Sequence, residues 1–171
     1  IIGGKSPIAG ISQSCIRGTY GKPCLKCWKC FRKQLLVKSL GTSEEVDFVS
    51  MMKANEVQVR LSSFPISHEN VISYSLQRID MENYPFFKPL AKKLDLDIDL
   101  GLLGHWYSES AFHIPKKYRV STRERILKFI EPMNISHEYI LKNWDMTPHL
   151  ERQHTRNAQD ELTSFWQDFT G

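Results

Sequence analysis

Apolar residues recur along this chain in short helical clusters separated by turn residues, with one short stretch that reads as a strand. Leu35, Leu36 and Leu40 lie on one face of a helix that begins near Lys26, and Gly41 suits its C-terminal cap, where a left-handed residue is needed. Thr42 with Glu45 has the form of a capping box for a second helix carrying Val46, Phe48, Val49, Met51 and Met52. Val57, Val59 and Leu61 alternate, so Glu56 to Leu61 reads as a short strand. Ser67 caps a helix to about Ile79, with Ile66 and Val71 as its hydrophobic staple. Pro85 starts a short helix running to about Leu94. Ser121 with Glu124 is a further capping box, Ser136 caps a helix to about Trp144, and Thr147-Pro148 opens a last, polar helix. Residues 1–24 and 95–120 read as loop with short pieces of structure. The expected class is mainly α.

Composition fits a globular chain. Of the 171 residues 41% are hydrophobic and 25% charged, and the mean hydropathy is -0.38, outside the range of disordered sequences. No apolar run reaches the roughly 18–20 residues that span a bilayer. Neither a signal peptide nor a membrane partner is indicated, and a cytoplasmic setting is expected. The start, Ile1-Ile2-Gly3-Gly4, reads as that of a chain beginning partway through a larger protein.

Charge is unevenly placed. Residues 1–43 hold 8 of the 23 cations and no Asp or Glu, leaving 15 cations against all 19 anions in the remainder, a balance of -4. The basic residues coincide with the four cysteines, Cys15, Cys24, Cys27 and Cys30. Their spacing, x8, x2 and x2, offers four soft donors from a tight loop, as tetrahedral zinc requires. The turn residues Gly18, Gly21 and Pro23 let the loop fold back, and a helix starting at Lys26 would favour thiolate through its dipole. An iron–sulfur cluster also uses two-residue spacings and stays open on spacing alone. Eight cations exceed what one Zn(Cys)4 dianion needs, which leaves room for a phosphate-bearing partner such as nucleic acid.

The segment Ser14-Cys15-Ile16-Arg17-Gly18, followed by Pro23-Cys24-Leu25-Lys26-Cys27-Trp28-Lys29-Cys30, resembles the zinc-binding segment of the 7-cyano-7-deazaguanine synthase family, PP-loop ATP pyrophosphatases of queuosine biosynthesis. The resemblance covers residues 10–34. It departs from the family at Ser12-Gln13, at Leu25, where the family has a small residue, and at Arg32 to Leu35. The family's Ser-Gly-Gly-x-Asp-Ser loop for ATP is absent. The resemblance implies that the chain is the C-terminal part of a larger α/β protein, PP-loop and adenine nucleotide alpha hydrolase-like. Residues 1–41 would be the zinc-binding end of that domain and 42–171 a helical extension. It further implies an upstream nucleotide-binding domain as partner, ATP as cofactor of the full-length protein, and a carboxylate substrate that is adenylated and passed to an amine. Arg17 or Lys22 would lie near phosphate. The competing expectation is a non-enzymatic zinc knuckle that binds nucleic acid or a protein.

Other features carry bland readings. Gly4-Lys5-Ser6 lacks the rest of a P-loop. Asp95, Asp97 and Asp99 read as a solvated face. His105-Trp106-Tyr107, His113 and Lys116 to Arg119 read as a loop packed by its own aromatics. His137, His149 and His154 make no second metal site.

Overall fold

The computed structural model of the chain describes residues 15–19, 22–41, 45–63, 65–94, 96, 99–145, 147, 163–164 and 167. The described residues are mainly helical, and among them the only β pairings are two isolated bridges, Thr19 with Lys22 and Trp106 with Pro132. The chain divides into two compact units, one of Gln13–Ile98 with Thr147–Gly171 and the other of Asp99–Met146 with Ile1–Ser12.

In the first unit, α1 spans Trp28–Ser39, α2 Phe48–Lys53, α3 Asn55–Ser62 and α4 Glu69–Leu76, and a 3-10 turn at Pro85–Phe87 leads into α5, Lys88–Lys93. α1 packs along α4 and also meets α2 and α3. It buries Trp28, Phe31 and Leu35, a helical i, i+3, i+7 stripe. The Phe31 ring, fully buried, stacks on Trp28 at 5.6 Å and meets Phe48 and Phe87 edge-on at 6.4 and 6.5 Å, arrangements that the ring quadrupole favours. Met52, Val57, Leu61, Ile72, Leu76 and Leu90 complete this core, to which Cys15, Cys27 and Cys30 also belong. α1 ends as its sequence suggests: Gly41 takes φ +82, and its N–H donates to the Lys38 carbonyl at 3.0 Å.

The second unit has 3-10 turns at Gly101–Gly104, Ser108–His113 and Lys116–Tyr118, then α6, Arg119–Leu127, and α7, Ile135–Lys142. Its buried apolar residues among those described are Leu100, Leu102, Ile130 and Met133. Trp106 ties the segments together: its N–H donates to the Glu131 carbonyl at 2.8 Å, and its carbonyl accepts from Met133 N–H at 2.9 Å. Lys117 lies over the Tyr118 ring and Arg119 over the Phe112 ring, rings of residues that are 51% and 71% exposed.

Several sequence expectations differ from the structure, each for a physical reason. Glu56 to Leu61 is helical, inside α3, where Val57 and Leu61 are buried and Val59 is 60% exposed. Residues four apart share a helix face whereas alternate residues do not, so the alternation was only apparent. α2 starts at Phe48 rather than after Thr42, because the Asp47 carboxylate caps it by accepting from Ser50 N–H at 2.9 Å. Ser67 does not cap α4. Its hydroxyl bonds His68 Nδ1 at 2.8 Å, and the helix runs only from Glu69 to Leu76. Ser121 lies inside α6, which follows directly from the Lys116–Tyr118 turn. At α7 the cap is Asn134, which accepts from His137 N–H at 2.8 Å, and Ile135 is exposed rather than stapled. Of the helix expected after Thr147-Pro148, Thr147, Thr163, Ser164 and Gln167 are helical and the remainder lies outside the described residues, as do Gly4 to Ser6, Asp95, Asp97, His149 and His154.

Candidate metal centre

The loop that brings the cysteines together is built by local backbone constraints. Thr19 and Lys22 form a one-bridge turn, with Lys22 N–H donating to the Thr19 carbonyl at 2.9 Å. Gly18 lies against its returning limb. A Cβ there would drive into the Lys22 carbonyl oxygen and crowd Pro23 and the backbone nitrogen of Cys24. Leu25, between Cys24 and Cys27, takes φ +55, a left-handed conformation that costs an ordinary residue about 1–2 kcal/mol. Cys27 then serves as the extended N-cap of α1 and Cys30 falls in its first turn.

The result is a single sulfur cluster. The Cys15 and Cys27 Sγ atoms are 4.0 Å apart and those of Cys24 and Cys30 3.8 Å apart. All four sulfurs lie within 4.8 Å of one another, and none is in a disulfide. Cys15, Cys27 and Cys30 are buried and Cys24 is partly so. Four sulfurs at tetrahedral vertices about 2.3 Å from one ion would stand roughly 3.8 Å apart, so this donor set is close to the size a mononuclear metal needs.

The electrostatics of the thiols differ around the cluster. Cys15 is held down to about 6, chiefly by the backbone N–H of Cys24 and against the effect of burial, with the backbone N–H of Arg17 acting in the same sense. Burial pushes Cys27 up, opposed by the backbone N–H of Cys30. Burial also pushes Cys30 up to about 12, opposed by the backbone N–H of Leu25. Backbone donors therefore face three of the sulfurs, the usual support for a metal thiolate. A bound cation would displace the protons that burial retains on Cys27 and Cys30.

Arg17 and Lys22, expected near phosphate, lie on the same loop. The Arg17 guanidinium pairs with Glu56 of α3, which raises its pKa further. The Lys22 side chain is exposed. Glu56 was not singled out from sequence. Its second carboxylate oxygen accepts from Trp28 N–H at 3.2 Å. These bonds, first from Trp28 and then from Arg17, hold its pKa below the usual carboxylate value. Its partners are 28 and 39 residues away in sequence, so no local pattern points to it. Elsewhere, Asp99 accepts from Gly101 N–H at 2.7 Å as a turn residue. His105 and His137 have ring centroids 6.2 Å apart. Among the described residues, the four cysteines are the only group of three or more candidate donors that converges.

Residues 1–145 match a family described as one of unknown function, DUF6395. The chain belongs to DUF6395. The family match takes in all four cysteines. No curated protein and no solved structure matches the chain. Among the described residues no helix is long and apolar enough to cross a membrane.

Proposed function

We propose that Cys15, Cys24, Cys27 and Cys30 hold one structural zinc ion that fixes the 15–30 loop onto the helical core. The observation that carries this reading is the convergence of all four sulfurs within 4.8 Å. A closed set of four thiolates leaves no open coordination position for a substrate, which is the mark of a structural rather than a catalytic zinc. A four-iron cluster would place each thiolate on a different iron and spread the sulfurs beyond this distance, so the compact set favours a single ion. The test is elemental analysis of freshly purified, reduced protein. One equivalent of zinc is expected. Absence of metal, or an iron–sulfur chromophore, would overturn the reading.

A wider reading is that the zinc unit ends the catalytic domain of a synthase-like ATP-dependent enzyme. It is favoured by the x8, x2, x2 cysteine spacing together with Ser14, Arg17, Gly18, Pro23 and Lys26. In that reading the full-length polypeptide adenylates a carboxylate, releases pyrophosphate and passes the acyl group to an amine. Lys22 and the donors of Arg17 not engaged by Glu56 face the phosphates. Carboxylate-dependent exchange of labelled pyrophosphate into ATP by the full-length polypeptide is the expected activity. Arg17→Ala combined with Lys22→Ala should weaken nucleotide binding, and unchanged affinity would remove those two residues from the reading.

A further inference from the structure

We propose that Glu56, which lies outside the cysteine segment, is the positioning residue of the metal centre: its carboxylate joins the two limbs of the loop that carry the ligands. The proposal rests on the reading of the four thiolates as a metal site and extends it to a residue on another helix.

The geometry is specific. Glu56 is the second residue of α3, and Val57 and Leu61 on the same helix are fully buried. Its backbone is thereby fixed in the core. One carboxylate oxygen accepts from the N–H of Trp28, the residue directly after Cys27, at 3.2 Å. The other accepts from the guanidinium of Arg17, two residues after Cys15. α1 has no side-chain cap of its own at Cys27, so the first free N–H of a 12-residue helix is met from α3 instead. Arg17 completes the circuit, since its backbone N–H faces the Cys15 sulfur while its side chain reaches Glu56. One carboxylate thus sets the distance between the loop holding Cys15 and the helix start holding Cys27 and Cys30.

Charge supports the same arrangement. A carboxylate beside a tetrathiolate dianion would be repelled if alone. Here it faces the positive end of α1 and a guanidinium, both of which favour the anion. The Arg17 and Glu56 side chains are 63% and 34% exposed, and an ion pair so open to water contributes little to folding by itself. Its effect belongs in ligand geometry, where loss of an outer-shell partner typically weakens metal binding by about 10- to 100-fold.

Cobalt(II) titration of the reduced full chain, followed by zinc competition, tests this. The wild-type chain should give the absorption bands of a tetrahedral tetrathiolate. Glu56→Ala should keep those bands but weaken affinity by about 10- to 100-fold. Glu56→Gln keeps an acceptor for Trp28 N–H and loses only the charge on Arg17, so its loss should be smaller, and it carries the test if Glu56→Ala does not fold. Val59→Gly weakens the same helix at a position 60% exposed, leaving the carboxylate and the buried contacts that fix it in place. Under conditions where far-UV circular dichroism shows every variant folded, its affinity should stay at the wild-type value. Wild-type affinity in both Glu56 variants would overturn the positioning role, as would a loss in Val59→Gly equal to that in Glu56→Ala. A wild-type chain without tetrathiolate bands would overturn the metal centre itself.

Discussion

Replacing Lys93 by Met isolates a buried charge whose effect on stability depends on pH. The Lys93 side chain is 1% exposed. Its ammonium donates to the carbonyls of Leu61 and Ser63 at 2.7 and 2.6 Å, groups left without helical partners where α3 ends. Burial nevertheless lowers its pKa from 10.5 to about 8, with Glu69 opposing the shift. At about 1.4 kcal/mol per tenfold change in proton affinity, that fall corresponds to about 3 kcal/mol. The folded chain holds this proton less tightly than the unfolded chain, so the penalty is fully present below pH 8 and fades as pH rises toward 10.5. Met has similar length and no proton to lose. Urea unfolding of both proteins at pH 7, 8, 9 and 10 should show wild type gaining on Lys93→Met by roughly 2–3 kcal/mol across the range. Titrating groups common to both chains, the thiols included, cancel in that difference. A difference that stays flat with pH would refute the reasoning and show that the two carbonyls offset the cost of burial in full.

Other outcomes follow from single residues. Gly18→Ala should cost about 1–3 kcal/mol and weaken cobalt binding, because its Cβ would displace the Lys22 carbonyl and crowd Cys24 N–H; thermal unfolding of metal-loaded protein at the wild-type temperature would contradict this. Leu25→Asn should stabilise the metal-loaded chain by about 1 kcal/mol in urea unfolding, since Asn tolerates the left-handed conformation better than Leu and Leu25 is 43% exposed, so little burial is lost. Val57→Thr should cost about 1–3 kcal/mol by placing a hydroxyl in the core, whereas Val59→Thr, at a residue 60% exposed, should stay within about 0.5 kcal/mol. Equal costs at the two sites would argue against the helical assignment of residues 55–62.

The parts of the structure readable from sequence were those fixed by neighbours in the chain. The start of α1 among the cysteines, its end at Gly41 and the convergence of four sulfurs all follow from short spacings and one left-handed residue. Caps were read less well, because several side chains competed for each helix start. Asp47 caps α2 through Ser50 N–H, Asn134 caps α7 ahead of Ser136, and the hydroxyl of Ser67 found the ring of His68 instead. The apparent strand at 56–61 failed because three apolar residues in alternation also supply an i, i+4 pair. Glu56 was invisible for a different reason: both its partners are supplied by a loop and helix that precede it by tens of residues, and nothing local marks a carboxylate that will cap a distant helix.

The cysteine segment and the helices after Gly41 share one apolar core, which bears on the candidate metal centre. A zinc segment of about forty residues could not bury enough apolar surface to stand alone, and small zinc modules depend on the metal for that reason. Here Trp28, Phe31 and Leu35 project from the same helix that carries Cys30, and they share one apolar cluster with Phe48, Leu61, Ile72 and Phe87. The face of α1 that follows the sulfurs is therefore the face that meets α4 and α2. Displacing the sulfurs would move Trp28 and Phe31, and moving Phe31 would open its edge-on contacts with Phe48 and Phe87. The coupling runs both ways, since the packing of α3 holds Glu56 in place beside the loop. Sulfur geometry and core packing in Gln13–Ile98 are thus parts of one cooperative unit: a metal held by the four thiolates would fix the position of α1, and the helices set the spacing of the sulfurs it would meet.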